Sequence, residues 1–100
     1  MEKEFVAEAG IAGRFISTSK DDNGVINGIE FHNQEKFNFA YDIVDVLGRE
    51  QPDKLAMLHI SNEKEERRFT FKDIMEGSSR TANMFVKMGI KKGDRVMLVL

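Results

Sequence analysis

The sequence has no cysteine, no tryptophan, one proline and two histidines. Without cysteine there can be no disulfide, no thiolate metal centre and no thiol nucleophile. Two histidines without a thiol partner leave a zinc site short of ligands. Neither sign of charge dominates, since 15 Lys and Arg stand against 17 Asp and Glu for a net charge of −2. That balance offers neither a basic stripe for nucleic acid nor an acidic tail for a cationic partner. No apolar run approaches the roughly 18 residues that a membrane helix needs, so no membrane partner is expected. Met1-Glu2-Lys3-Glu4-Phe5 is acidic and mixed, unlike the basic start of a secretory signal. The expected location is therefore cytoplasmic, and the lack of cysteine fits a reducing compartment.

A length of 100 residues suits one small domain at most. Residues 1–36 are rich in Gly, Asn, Asp, Ser and Thr and show no long period, so an irregular N-terminal extension is expected there. Residues 37–100 are periodic. Asn38 is a good N-cap, and Phe39, Ala40, Ile43, Val44 and Leu47 follow at helical spacing until Pro52. Leu55 to Ile60 alternates like a strand, Ser61 to Glu65 reads as a turn, and Arg67 to Thr70 reads as the returning strand of a hairpin. Thr70 and Asp73 form a variant capping box for a second helix, whose Ile74, Met75, Ser78, Ala82, Phe85 and Val86 share one face. Gly89 supplies its left-handed stop. Lys91 to Asp94 is a turn, and Arg95 to Leu100 is an expected final strand. Val96-Met97-Leu98-Val99-Leu100 has the character of a strand buried on both faces of a parallel sheet. A chain that stops inside such a run is expected to continue in a longer protein, and its open edge is expected to promote self-association. The order helix–hairpin–helix–strand indicates an α/β class.

Five stretches taken together resemble the start of the AMP-forming acyl-CoA synthetases of the adenylate-forming superfamily. They are Phe37 to Asp42, Gln51 to Ala56, Phe69 to Ile74, Ser79 to Asn83, and Gly89 to Val96. The first is most similar to the acetyl-CoA and medium-chain branch. Residues 1–36 match nothing in that family. The resemblance implies that residues 37–100 begin the large N-terminal domain of an ATP-dependent carboxylate–CoA ligase. It implies a carboxylate attacking the α-phosphate of MgATP, with release of pyrophosphate, followed by displacement of AMP by the thiol of coenzyme A. ATP, Mg²⁺, coenzyme A and a small carboxylic acid would belong to the parent enzyme, and the partner of this chain would be the remainder of the synthetase. The family's phosphate loop, adenine and ribose contacts and catalytic lysine lie later in its chain. No catalytic, cofactor-binding or metal residue is therefore assigned here, and these residues alone are expected to be inactive.

Other features favour ordinary packing or solvated loops. Gly77-Ser78-Ser79-Arg80 lies inside a helix, where N–H groups are already bonded, whereas phosphate loops precede helices. Gly10-Ile11-Ala12-Gly13 lacks a preceding strand and a full glycine pattern. His59 reads as a strand histidine, His32 as a surface one, and the methionines as core filling. Lys91, Lys92 and Arg95, with Arg67 and Arg68, read as solvated, with a phosphate or coenzyme A contact as the other reading. Residues 19–30 resemble an EF-hand loop through Asp21, Asn23, Gly24, Ile26 and Glu30, although Ser19 replaces the first-position Asp. The other reading of that stretch is a hairpin turning at Asp22-Asn23-Gly24. A stand-alone α/β binding module, calcium-responsive through residues 19–30, is the alternative to the ligase fragment. Its core would have to come from Leu47, Leu58, Ile74, Phe85 and Val86.

Overall fold

The computed structural model describes residues 3–100, which form two compact units, one ending at Asn38 and the other beginning at Phe39.

The first unit is an antiparallel three-stranded sheet in the order β1 (Val6–Ala7), β2 (Ile16–Lys20), β3 (Ile26–Phe31). A 3₁₀ turn, Gly10–Arg14, links β1 to β2. This corrects the expectation that residues 1–36 are irregular. The central strand is built from Ser17, Thr18 and Ser19, all buried, so it shows none of the apolar alternation that marks a strand. Burial of those hydroxyls is offset by hydrogen bonds. Thr18 Oγ1 donates to Glu8 Oε1, Ser19 Oγ donates to Asn27 Oδ1, and Ser17 Oγ lies 2.9 Å from His32 Nε2. His32, expected at the surface, is thus half-buried and tethered.

The second unit opens with a π-helical turn, Ala40–Val44, that runs into α1 (Asp45–Glu50). Phe39 is already helical, so Asn38 stands at the position before the first helical residue. A hairpin follows, β4 (Leu55–Ile60) against β5 (Glu66–Thr70), with His59 opposite Arg67 and Leu58 opposite Arg68. Its turn is closed by the Ser61 N–H donating to the Glu65 carbonyl at 3.0 Å, and Lys64 takes φ +64°. The core is small. Val44 and Leu47 are 8% and 7% exposed, and Gly48 is buried beside them where α1 meets α2 (Phe71–Lys87). Of the expected core, Ile74 and Phe85 are half-buried while Leu58 and Val86 are exposed, Val86 at 73%.

Both ends of α2 follow from sequence. The Asp73 N–H donates to Thr70 Oγ1 at 3.2 Å, and the Thr70 N–H donates to Asp73 Oδ2 at 2.9 Å, closing the capping box. At the far end Gly89 takes φ +83°, the Ile90 N–H donates to the Phe85 carbonyl and the Gly89 N–H to the Val86 carbonyl, each at 3.0 Å. That is the Schellman pattern. The expected strand at residues 95–100 is not formed. A strand exists only where a neighbour accepts and donates its ladder bonds, and none of β1 to β5 pairs with these residues. Leu98 is 77% exposed.

The cap carries a prediction in two parts. Thr70→Ala removes an N-cap bond and is expected to cost about 1 kcal/mol in urea denaturation. The Asp73 carboxyl is held below the usual aspartate range, first by the Thr70 backbone N–H and then by the Thr70 side chain. A depressed folded-state value means that its stabilisation is fully present above the ordinary aspartate value of about 3.9 and is lost as pH falls through the lower folded value. Helicity is expected to hold from neutral pH down to about 4 and to fall below it, with a smaller acid step in Asp73→Asn. An identical step in that variant would remove the assignment to Asp73.

Candidate functional site

The calcium reading of residues 19–30 does not survive the geometry. The Asp21 N–H donates to the Val25 carbonyl at 2.9 Å, and Asp21 Oδ1 accepts from the N–H groups of Asn23 and Val25 at 2.9 and 3.0 Å. Gly24 turns the chain at φ +79°. The stretch is therefore a hairpin turn joining β2 to β3. Glu30, the would-be bidentate ligand, sits within β3 opposite Ser17. At about 3.3 Å per residue, Ser17 lies roughly 13 Å along β2 from Asp21, too far for one ion. No group of three His, Asp or Glu able to hold a metal occurs among the described residues, and Asp45 Oδ1, buried without a hydrogen-bond partner, belongs to none.

Gly77 to Arg80 lies within α2, where Ser78 Oγ donates to the Met75 carbonyl and Thr81 Oγ1 to the Gly77 carbonyl, each at 3.0 Å. Gly10 to Gly13 forms the 3₁₀ turn, with Gly10 at φ +70°. His59 is exposed on β4. Lys91 and Asp94 close the turn after α2, the Lys91 N–H donating to Asp94 Oδ2 at 2.7 Å.

MgATP chemistry needs free backbone N–H groups and a cation converging on phosphates. Neither α-helix start offers that arrangement. At the start of α2 the Thr70 N–H already donates to the Asp73 carboxylate, whose negative charge disfavours an anion there. The π-helical turn runs directly into α1, so α1 has no free N-terminal turn.

Each unit has concavities on its surface. In the first unit Phe15, Ile16, Phe31 and Phe37, with His32 and Gln34, line a half-open apolar pocket of about 460 Å³. The Phe15 and Phe37 rings meet edge to face with centroids 5.0 Å apart. In the second unit Arg67 and Arg68 of β5 share a cleft with Arg80 of α2. Sequence reasoning grouped Arg67 and Arg68 with Lys91, Lys92 and Arg95 and missed Arg80. The available signal was that β5 runs straight into α2, which sets its outward residues beside the helix's early turns. Among the described residues, no helix is long and apolar enough to cross a membrane.

No protein-family model matches the chain. Curated proteins do match. The propionate–CoA ligase of Escherichia coli is 33% identical over 64 residues, which is 63% of this chain and 10% of the ligase. The acetyl-coenzyme A synthetase of Phycomyces blakesleeanus is 32% identical over 66 residues, 65% of this chain and 10% of the synthetase. A crotonobetaine/carnitine–CoA ligase of Salmonella paratyphi A is 42% identical over 59 residues, 59% of this chain and 11% of the ligase. The matched stretch spans about a tenth of the length of these curated relatives. That stretch is related to the AMP-forming acyl-CoA synthetases, the family that its residues resemble.

Proposed function

We propose that these residues are the N-terminal part of an AMP-forming carboxylate–CoA ligase and serve it as scaffold. One observation carries the reading: relatives named for propionate, acetate and crotonobetaine or carnitine are all CoA ligases. Those three names share a small carboxylic acid, which is the substrate class we assign to the parent. ATP, Mg²⁺ and coenzyme A belong to the parent in the same sense. We assign these residues no step of its chemistry, since the Thr70–Asp73 capping box and the turn at Asp21 already engage polar groups that a nucleotide site would need free. Their part is to build the helix–hairpin–helix frame of an α/β domain, with the remainder of the ligase as partner. The experiment is an isotope-exchange assay between pyrophosphate and ATP, run with small acids on the complete protein and on the 100-residue chain.

A further inference from the structure

The first unit holds two Asn-Gly dipeptides, Asn23-Gly24 and Asn27-Gly28. Such a pair carries its own chemistry. The backbone nitrogen of the glycine, once deprotonated, attacks Cγ of the asparagine side chain. A five-membered succinimide closes and ammonia leaves. Water then opens the ring at either carbonyl, giving aspartate or isoaspartate. The net change exchanges an amide for a carboxylate, with water consumed and ammonia released, and needs no oxidant or cofactor. Glycine permits the attack because it has no Cβ to block the approach of its nitrogen. Ring closure also requires the asparagine ψ to rotate until that nitrogen faces Cγ, so the backbone must be free to turn there.

The fold treats the two pairs differently. Asn27 and Gly28 lie within β3, with Gly28 opposite Ser19 of β2. Ser19 Oγ donates to Asn27 Oδ1, and Lys3 Nζ donates to the Asn27 carbonyl at 2.7 Å. Gly28 is also covered. An added Cβ there would lie 2.8 Å from Ser19 Oγ and 3.3 Å from both Lys3 Cδ and Phe5 Cε1. Rotating ψ at Asn27 would disrupt the strand pairing and these bonds together, so Asn27 reacts only from a locally opened state. Asn23 and Gly24 instead sit in the exposed turn between β2 and β3. Around Gly24 the corresponding space is empty to 4 Å. Its N–H makes a turn bond to the Asp21 carbonyl at 3.0 Å. The bonds from the Asn23 and Val25 N–H groups to Asp21 Oδ1 are exposed, so water can replace them as the turn opens.

We propose that Asn23 is a site of spontaneous deamidation and isoaspartate formation, and that the fold protects Asn27 from the same reaction. The site is independent of the ligase reading. Its product alters the turn. Aspartate at position 23 adds a third carboxylate beside Asp21 and Asp22, and isoaspartate puts an extra carbon into the main chain of a turn whose length sets the β2–β3 register. The test is peptide mapping by mass spectrometry on the 100-residue chain aged in mildly alkaline buffer, with and without urea. Without urea, reaction at Asn23 is expected to outrun that at Asn27 by about tenfold or more, the ratio that even a small local opening free energy imposes. In urea the two rates are expected to converge. The product at position 23 is expected to be a mixture of isoaspartate and aspartate, formed faster as pH rises because the deprotonated nitrogen is the nucleophile. Asn23→Gln, whose longer side chain would have to close a six-membered ring, is expected to remove it. Four results would overturn the proposal: equal or faster reaction at Asn27 without urea, no product at Asn23 under conditions where the urea-unfolded chain reacts, aspartate without isoaspartate, or undiminished product in Asn23→Gln.

Discussion

Replacing Gly48 with alanine is expected to destabilise the second unit by about 1–3 kcal/mol, the usual cost of forcing a methyl into packed structure. Gly48 is buried where α1 crosses α2. An added Cβ would lie 2.8 Å from Met75 Sδ, 2.9 Å from Met75 Cβ and 3.1 Å from the Phe71 carbonyl oxygen. The thioether can swing aside, but Met75 Cβ and the Phe71 carbonyl are fixed to the helix. The two helices must therefore separate, exposing Val44 and Leu47, the two large apolar residues that are buried among those described. Gly77→Ala is the matched control. Its Cβ would meet only Arg80 Nη2 at 3.9 Å, an ordinary contact, so the helix should gain roughly 0.5–1 kcal/mol from the lost glycine flexibility. Urea denaturation followed by far-UV circular dichroism reads both. Equal midpoints for the two variants would show that α1 and α2 do not pack as described.

Gly13→Ala is expected to release β1 from the first unit. The added Cβ would stand 2.0 Å from the Glu8 carbonyl oxygen and 3.1 Å from its carbonyl carbon. Both are backbone atoms, with no flexible end to yield. Glu8 is tied to β2 twice, through its N–H to the Ile16 carbonyl at 3.4 Å and through its carboxylate to Thr18. Relieving the clash moves Glu8 and breaks both ties, leaving the buried Thr18 hydroxyl without its acceptor. The cost is again of order 1–3 kcal/mol, and each 1.4 kcal/mol speeds amide exchange about tenfold in β1 and β2. Gly10→Ala, with positive φ but nothing within 4 Å, should cost about 1–2 kcal/mol of backbone strain without selectively freeing Glu8. Wild-type exchange at Glu8 and Thr18 in Gly13→Ala would contradict the placement of β1.

The second unit was largely legible because its signals are local. Alternation over Leu55 to Ile60, the Thr70–Asp73 pair and Gly89 each act within a few residues, and the hairpin and α2 fall where they point. Unit one was not legible, because its central strand is held by hydroxyls whose partners, Glu8, Asn27 and His32, lie 8 to 15 residues away. The stretch Asp21-Asp22-Asn23-Gly24 was ambiguous for a physical reason. Calcium loops and hairpin turns both place a short acidic side chain beside a glycine with positive φ. What decides between them is the Asp21 carboxylate, which spends its oxygen on two backbone N–H groups. Residues 95–100 have strand composition but no strand beside them, and composition alone cannot supply the partner. The arginine cleft was half-visible, since the grouping of Arg67 with Arg68 is sequential while Arg80 arrives through the fold.

The most direct test of the ligase reading is carboxylate-dependent exchange between pyrophosphate and ATP, measured on the protein made from the complete reading frame containing these residues and on the 100-residue chain beside it. The account predicts exchange with acetate, propionate or another small acid for the complete protein and none for the 100 residues. Exchange by the 100-residue chain would contradict the scaffold role, and a complete protein inert toward every small acid would contradict the ligase itself.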